Sequence, residues 1–214
     1  MKRYRVMGIR STRDGLSCSD ALLKRAFDLF FSVLGLLATW WLILLAACIA
    51  TLDTKNSGFF TQLRVGKNGK LFSVIKIRTM RCLEGVDTAV TVAGDMRITP
   101  IGKVLRRYKI DELPQLINVL LGQMSFVGPR PDVPGYADRL EGGDRLVLSI
   151  RPGITGPATL KYRDEEVILV SQSNPEAYNR EVIWPDKVKI NLEYIRNWSF
   201  SNDIRLICQT VFKR

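Results

Sequence analysis

The sequence lacks histidine entirely, and its four cysteines are widely spaced. Without histidine, acid–base and nucleophilic chemistry must rely on carboxylates, Lys, Tyr, Ser, Thr or Cys. No two cysteines form a C-x-x-C pair, which argues against a zinc site or a disulfide framework and fits a reducing compartment. There is also no repeat of solenoid length. These absences make acidic residues the leading candidates for catalysis.

Positively charged residues outnumber negatively charged ones. The chain of 214 residues carries a net charge of +11, and its length suffices for one domain plus an accessory segment. Such a balance favours anionic partners, which can be phosphorylated small molecules, anionic lipid or nucleic acid.

Residues 29–52 form an apolar run without a single charge. About 24 helical residues are enough to cross a hydrocarbon core of roughly 30 Å. Basic residues flank this run on both sides, in 2–25 and in 55–78. Because positive flanks prefer the cytoplasmic side, a straight span would place one of them outside, whereas a re-entrant helix keeps both inside. The charge pattern leaves both topologies open.

Shorter segments predict local structure after the apolar run. The turn K-N-G-K at 67–70 lies between two partly apolar stretches and predicts a short β-hairpin. Residues 82–99 are polar and predict a loop, and 102–110 predict a short basic helix. Near the C-terminus the pattern predicts two helices that are separated at Ser201–Asn202.

Two adjacent carboxylates, Asp111 and Glu112, lie between arginine clusters just ahead of Pro114. Apolar residues recur at helical spacing from Leu113 to Met124, and Pro114 suits the first turn of that helix. The pair is therefore expected at or just before a helix N-terminus, where anions are favoured. Ionised carboxylates there can attack phosphorus or hold Mg²⁺. The alternative is that Asp111 caps the helix, which is a common role of Asp, and that Glu112 pairs with an arginine.

Two Pro/Gly-rich turns, SFVGPRPD at 125–132 and RPGITGP at 151–157, each contain one arginine. Rigid turns of this kind can hold a guanidinium for bidentate phosphate contact, or they can be structural corners.

Taken together, the chain resembles the bacterial sugar transferase family, the monotopic phosphoglycosyl transferases. The resemblance covers residues 24 to about 212 and is carried by KRAFD, GFFTQLRVGKNGKLFSVIKIRTM, RITPIGKVLRR, DELPQLINVLLGQMSFVGPRP, RPGITG and YIRNWSFSNDIRLICQTV. It implies a membrane-associated α/β fold that is mainly helical with a short β-hairpin. The implied parts are a basic arm at 1–23, a membrane-inserted re-entrant helix at 24–54 and a cytosolic catalytic domain at 55–214.

The resemblance also implies an activity. Family members transfer a sugar 1-phosphate from a UDP-sugar to a polyprenyl phosphate such as undecaprenyl phosphate, release UMP, and so begin the assembly of a glycoconjugate. The implied cofactor is Mg²⁺, and the implied location is the cytoplasmic face of the bacterial inner membrane. The expected partners are the two substrates, membrane lipid and a second copy of the chain, and no nucleic acid is expected.

Site residues follow from matching positions. Asp111 matches the family's nucleophile, which forms a phosphosugar–enzyme intermediate, and Glu112 matches its Mg²⁺-associated partner. Phosphate or substrate contacts are expected from Lys76, Arg78, Arg106, Arg130, Arg151 and Arg163. Asp203 also matches a family position, with a role left open. Thr39–Trp40 replaces the family's Ser-Pro break in the membrane helix, so a hydrogen bond from Thr39 to a carbonyl is expected to supply the kink.

A competing hypothesis is a non-catalytic, basic, membrane-anchored adaptor that binds nucleic acid or anionic lipid. It accounts for the charge and for the apolar run. It does not account for an Asp–Glu pair that is followed by GPRP and RPGITG.

Overall fold

The computed structural model describes residues 15–82 and 95–212 of the chain. Most of the predicted basic arm and residues 83–94 of the predicted loop lie outside this range. The described part is mostly helical, with two small sheets. Its helices are α1 (Cys18–Thr54), α2 (Pro100–Arg107), α3 (Gln115–Leu120), α4 (Pro157–Lys161), α5 (Glu165–Val170), α6 (Pro175–Tyr178), α7 (Trp184–Arg196) and α8 (Phe200–Phe212). Its strands are β1 (Phe59–Val65), β2 (Leu71–Ile77), β3 (Ser125–Val127) and β4 (Gly153–Thr155).

The apolar run lies in α1, a single helix of 37 residues. It begins before the predicted boundary at residue 24, because the Ser17 hydroxyl accepts a hydrogen bond from the Asp20 amide and caps the helix. The helix ends where Lys55 adopts a left-handed conformation, with φ of 56°. The backbone stays helical through Thr39, whose hydroxyl donates to the Gly35 carbonyl at 2.6 Å. The hydrogen bond predicted for Thr39 is therefore present, whereas the kink that it was expected to supply stays a prediction.

The predicted hairpin is confirmed as an antiparallel pair, β1–β2, running in register from Phe59↔Ile77 to Val65↔Leu71. The second sheet, a parallel pair of β3 and β4, corrects the interpretation of SFVGPRPD and RPGITGP as turns alone. The backbones approach so closely there that a Cβ on Gly153 would lie 2.1 Å from the Gly128 amide nitrogen. Strands of three residues carry too little periodicity to be recognised in sequence.

Three of the predicted helices needed their boundaries corrected. The basic helix α2 spans Pro100–Arg107 rather than the predicted 102–110, and it starts early because the Thr99 hydroxyl accepts from the Gly102 amide at 2.8 Å and caps it. The two C-terminal helices are present, but the break lies at residues 197–199 rather than at Ser201–Asn202. The hydroxyl of Ser199 accepts from the Asn202 amide at 3.3 Å and so fixes the start of α8.

One face of α1 packs on the rest of the chain, and the other face is left apolar and exposed. Ile43, Ala47 and Ala50 are buried in a cluster with Ile77 and Leu105. The exposed large side chains of α1 include Leu22, Leu23, Phe30, Leu34, Leu37, Trp40, Trp41, Leu44, Leu45 and Leu52. By length and composition, α1 could cross a membrane.

Candidate active site

The carboxylate pair lies in a tight turn just before α3. Lys109 adopts a left-handed conformation with φ of 58°, and the single 3₁₀ turn Ile110–Glu112 follows it directly. Pro114 then leads into α3 with φ of −61°. The predicted placement before a helix is therefore confirmed. Neither the turn nor α3 has a side-chain cap, so the alternative in which Asp111 caps the helix is wrong.

Glu112 is held by two cations. Its Oε1 atom accepts from Lys76 Nζ at 3.0 Å and from Arg130 Nη2 at 3.3 Å. Burial acts to raise the pKa of Glu112, but the positive charges of Lys76 and Arg130 outweigh it, so the pKa falls well below its usual value. Glu112 is thus an ionised carboxylate at any physiological pH.

Asp111 has a different environment although it is the adjacent residue. Its side chain is buried, and its Oδ1 atom has no hydrogen-bond partner among the described residues. Burial, followed by the charge of Glu112, raises the pKa of Asp111 to about 6, against the opposing charges of Lys76, Lys109 and Arg106. At neutral pH Asp111 is therefore mostly ionised and poorly solvated.

Arg106 reaches the site from α2. Its Nε atom donates to the Thr79 hydroxyl at 3.0 Å, and its Nη1 atom lies 3.4 Å from a Glu166 carboxylate oxygen. Its positive charge offsets part of the rise in the pKa of Asp111. Lys76, Arg106 and Arg130 therefore lie around the pair in the fold, and their contact with phosphate stays a prediction.

Arg78 lies two residues after Lys76 but is engaged elsewhere. Its Nε atom donates to the Ser57 carbonyl at 2.7 Å, and its guanidinium lies 5.5 Å from the centre of the Phe60 ring. Within the described part of the chain, these contacts attach the end of β2 to the start of β1 and do not involve Glu112.

Two further predicted arginines donate hydrogen bonds to backbone carbonyls. Arg151 Nε donates to the Gly122 carbonyl at 2.7 Å, beyond the C-terminal end of α3. Arg163 Nη2 donates to the Gln209 carbonyl of α8 at 3.3 Å. A role in substrate binding stays a prediction for both.

Asp203 is buried and joins three parts of the fold. It pairs with Lys24 of α1, accepts from the Tyr194 hydroxyl at 2.6 Å and accepts from Trp198 Nε1 at 3.1 Å. This network fixes the N-terminal part of α1 against α7 and α8, so the contacts of Asp203 are structural.

Sequence reasoning missed Asn118, which holds the two halves of the site together. Its Oδ1 atom accepts from the Ile75 amide at 3.0 Å, and its Nδ2 atom donates to the Ser73 carbonyl at 2.8 Å. These bonds attach α3 to β2 and set Lys76 opposite Glu112. The available signal was a polar residue inside the apolar helical pattern of α3, where a buried amide must be hydrogen-bonded.

Arg64 and Asp132 were also missed, and they extend the charged region beyond Arg130. Burial raises the pKa of Asp132 to about 6 against the charges of Lys187 and Arg64. Burial likewise lowers the pKa of Arg64 to about 10, and the nearby Arg130 charge adds to this. Arg64 and Asp132 therefore extend the partly desolvated charged region from Glu112 past Arg130.

The donor atoms at the pair fit a magnesium ion that is shared with a phosphate. Both ion pairs of Glu112 use Oε1, which leaves Oε2 for a metal, and Asp111 Oδ1 is an unpartnered buried oxygen. Among residues 15–82 and 95–212 no group of three or more acidic or cysteine side chains could hold a metal alone. Mg²⁺ is usually held by one or two carboxylates plus substrate phosphates, so this limited protein donor set suits it.

Comparison with known proteins identifies the family to which the chain is similar. Residues 19–214 match the family model described as bacterial sugar transferase. The chain is 40% identical over 211 residues to an undecaprenyl-phosphate glucose phosphotransferase of Komagataeibacter xylinus, covering 93% of this chain and 37% of that protein. It is 38% identical over 204 residues to the UDP-glucose:undecaprenyl-phosphate glucose-1-phosphate transferase of Escherichia coli K12, covering 92% and 41%. It is 40% identical over 205 residues to the exopolysaccharide production protein PSS of Rhizobium leguminosarum, covering 90% and 94%. The chain thus spans about two fifths of the first two relatives and nearly all of the third.

Proposed function

Because the chain belongs to the bacterial sugar transferase family, we propose that it transfers a sugar 1-phosphate from a UDP-sugar to undecaprenyl phosphate and releases UMP. The reaction would supply the first membrane-linked intermediate of a glycoconjugate. One observation carries the proposal. An unpartnered, buried carboxylate oxygen of Asp111 lies beside an ionised Glu112, with Lys76, Arg106 and Arg130 around them.

The proposed transfer has two steps, and Asp111 is the nucleophile in the first and the leaving group in the second. In the first, an Asp111 oxygen attacks the phosphorus that bears the sugar, an Asp O–P bond forms, and the bridging P–O bond breaks so that UMP leaves with the bridging oxygen. In the second, an oxygen of undecaprenyl phosphate attacks the same phosphorus and Asp111 leaves as a carboxylate. Burial of Asp111 favours the first step because a poorly solvated carboxylate loses little hydration on attack.

The cations stabilise the charge that develops on phosphate. Arg130 has a side chain that is 43% exposed while it holds Glu112, so it retains donors that can face a substrate phosphate. Lys76 is more deeply placed and orients Glu112. Glu112 would hold Mg²⁺ through its Oε2 atom, and the bound ion would supply positive charge to the diphosphate oxygens.

We place α1 in the cytoplasmic leaflet of the bacterial inner membrane with both of its ends on the cytoplasmic side. The rest of the chain contacts α1 at Lys24, along Ile43–Ala50, and at Asp53, whose carbonyl accepts from Arg81. A straight span would carry part of these contacts through the bilayer. The exposed apolar face of α1 would lie in lipid, next to which an undecaprenyl chain can reach the site.

Native cysteines can test this topology. Cys18 lies at the start of α1, Cys82 lies beyond its far end, and both are exposed. In a variant with Cys48→Ser and Cys208→Ser, a membrane-impermeant thiol reagent added to intact cells should label neither remaining cysteine, whereas inverted vesicles should allow both to react. Labelling of one from each side would show a spanning helix.

The activity itself is tested by UMP release with a panel of UDP-sugars and undecaprenyl phosphate. UMP release with at least one UDP-sugar would support the proposal, provided that a hydroxylamine-labile sugar-phosphate label forms on the wild-type protein but not on Asp111→Asn. No UMP release, combined with salt-sensitive nucleic-acid binding, would favour the adaptor instead.

A further inference from the structure

A cavity of about 210 Å³ lies between the N-terminal half of α1 and the 3₁₀ segment Gly142–Ser149. Its lining includes Lys24, Asp28, Lys67, Ser149 and Arg151. Neither Asp111 nor Glu112 lines it. The cavity is lined by Lys67 of the hairpin turn, and the carboxylate pair is bound by Lys76 of β2. Lys76 lies five residues along β2 from Leu71, which in a strand amounts to roughly 17 Å. The cavity is therefore separate from the carboxylate pair.

Two buried polar atoms at this cavity have no partner. Asp28 is only 1% exposed, and its Oδ1 atom accepts from the Ser125 hydroxyl and the Phe126 amide, each at 3.1 Å. Its Oδ2 atom and the Ser149 hydroxyl oxygen are buried without a hydrogen-bond partner in the described part of the chain. An unsatisfied buried polar group costs about 1–3 kcal/mol, and more if charged. Both atoms therefore call for a partner that residues 15–82 and 95–212 do not supply.

Positive charge converges on the same cavity. Arg151 lines it, and its Nε atom is fixed by the Gly122 carbonyl. A Cβ on Gly122 would lie 3.2 Å from Arg25 Nη2 and 3.9 Å from Arg151 Nε, so two guanidinium groups meet around this glycine. Arg25 lies behind the lining, where its guanidinium donates to the Val119 and Leu120 carbonyls. The lining itself adds Lys67 from the hairpin turn and Lys24, which pairs with Asp203. An anion placed here would offset the mutual repulsion of these groups.

We propose that this cavity is a second binding site, for a small phosphate ester that also carries an ammonium or hydroxyl group. The phosphate would contact Arg151 and Lys67, and the donor group would bond Asp28 Oδ2 and the Ser149 hydroxyl. The volume of about 210 Å³ is enough for a small polar molecule. It lies below the roughly 300–1,000 Å³ of pockets for drug-sized ligands, so the cavity suits a small ester better than a UDP-sugar.

Two sources present this chemistry. One is a phospholipid headgroup such as phosphatidylethanolamine, since α1 carries Asp28 and exposes Leu22, Leu23 and Leu29 close by. The other is a soluble phosphate ester. The site chemistry is the same for both, and the two arms of the experiment separate them.

The soluble arm compares ethanolamine phosphate with choline phosphate, whose nitrogen has no hydrogen to donate. With the full chain in detergent, calorimetry should give at least tenfold tighter binding of ethanolamine phosphate. Ser149→Ala should weaken that binding about threefold to tenfold, the value of one hydrogen bond. Its hydroxyl has no hydrogen-bond partner among the described residues, so the variant should fold normally. Lys67→Gln should weaken both probes alike, and Ser171→Ala, an exposed serine elsewhere, should change neither.

The lipid arm uses native mass spectrometry of the protein released from nanodiscs that contain phosphatidylethanolamine and phosphatidylcholine. Retained phosphatidylethanolamine that is lost in Ser149→Ala would assign the site to a headgroup, and binding of the soluble probe alone would assign it to a free ester. Both outcomes support the proposal. The proposal would be overturned if no soluble probe bound at millimolar concentration and no lipid was retained. It would also be overturned by equal affinity for the two soluble probes, or by wild-type affinity in Ser149→Ala. Each of these outcomes would leave a water-filled cavity.

Discussion

Replacing Asp111 by Asn should abolish transfer and at the same time make the protein more stable. Burial and the charge of Glu112 raise the pKa of Asp111 from 3.8 to about 6 in the folded protein. The folded state therefore holds this proton more tightly than the unfolded chain does, and the wild type loses stability as the pH rises from about 4 to about 6. A shift of about 2 units at about 1.4 kcal/mol each gives about 3 kcal/mol. Asn stays neutral and avoids that loss.

The assay is thermal unfolding of both proteins in the same detergent, without Mg²⁺ or substrate, from pH 4.5 to pH 8. Linkage predicts a stability advantage of Asp111→Asn of about 3 kcal/mol at pH 8 and only about 1 kcal/mol at pH 4.5. For a protein of this size the larger value corresponds to an increase in Tm of about 6–12 °C. Asp144→Asn, which changes an exposed carboxylate, is the matched control.

The reasoning would be refuted by a Tm of Asp111→Asn that equals the wild-type Tm at pH 8. It would equally be refuted by a difference that is the same at both ends of the pH range, because the effect must then have another cause than ionisation. Retained UMP release by the variant would separately contradict the assignment of Asp111 as the nucleophile.

Other predictions test the neighbours of Asp111. For the wild type, kcat/KM should rise about tenfold per pH unit below about pH 6 and level off above it, since only ionised Asp111 attacks; a flat profile would contradict this. Lys76→Met should lower kcat about 10²-fold and move the rising part of the pH profile to higher pH, because a cation that opposes the rise in the pKa of Asp111 is lost. Lys70→Met, in the exposed hairpin turn, should change neither kcat nor the profile. Asn118→Leu should cost about 2–4 kcal/mol in denaturant unfolding by leaving two β2 backbone groups unpaired, and unchanged stability would remove its assigned role. Excess EDTA should stop UMP release, and full activity in EDTA would contradict the Mg²⁺ assignment of Glu112.

Features with a strong local signal were predictable from the sequence. The apolar run predicts α1, and K-N-G-K predicts the hairpin, because hydrophobic length and turn chemistry act on neighbouring residues. The position of Asp111 and Glu112 before Pro114 likewise follows from short-range pattern. The parallel pairing of β3 with β4 was not predictable, since it joins three-residue segments that are far apart in the chain.

The sequence by itself determined which groups could do chemistry, a carboxylate pair among arginines in a chain without histidine. Only the tertiary structure decided how the two carboxylates differ. Lys76 and Arg130 come from segments 36 and 18 residues away from Glu112, and their positive charges stabilise its ionised carboxylate. Asp111, by contrast, is buried with an oxygen that no described residue binds. The physical reason is that solvation and Coulomb energy depend on distances through space, so adjacent residues can receive opposite shifts in pKa.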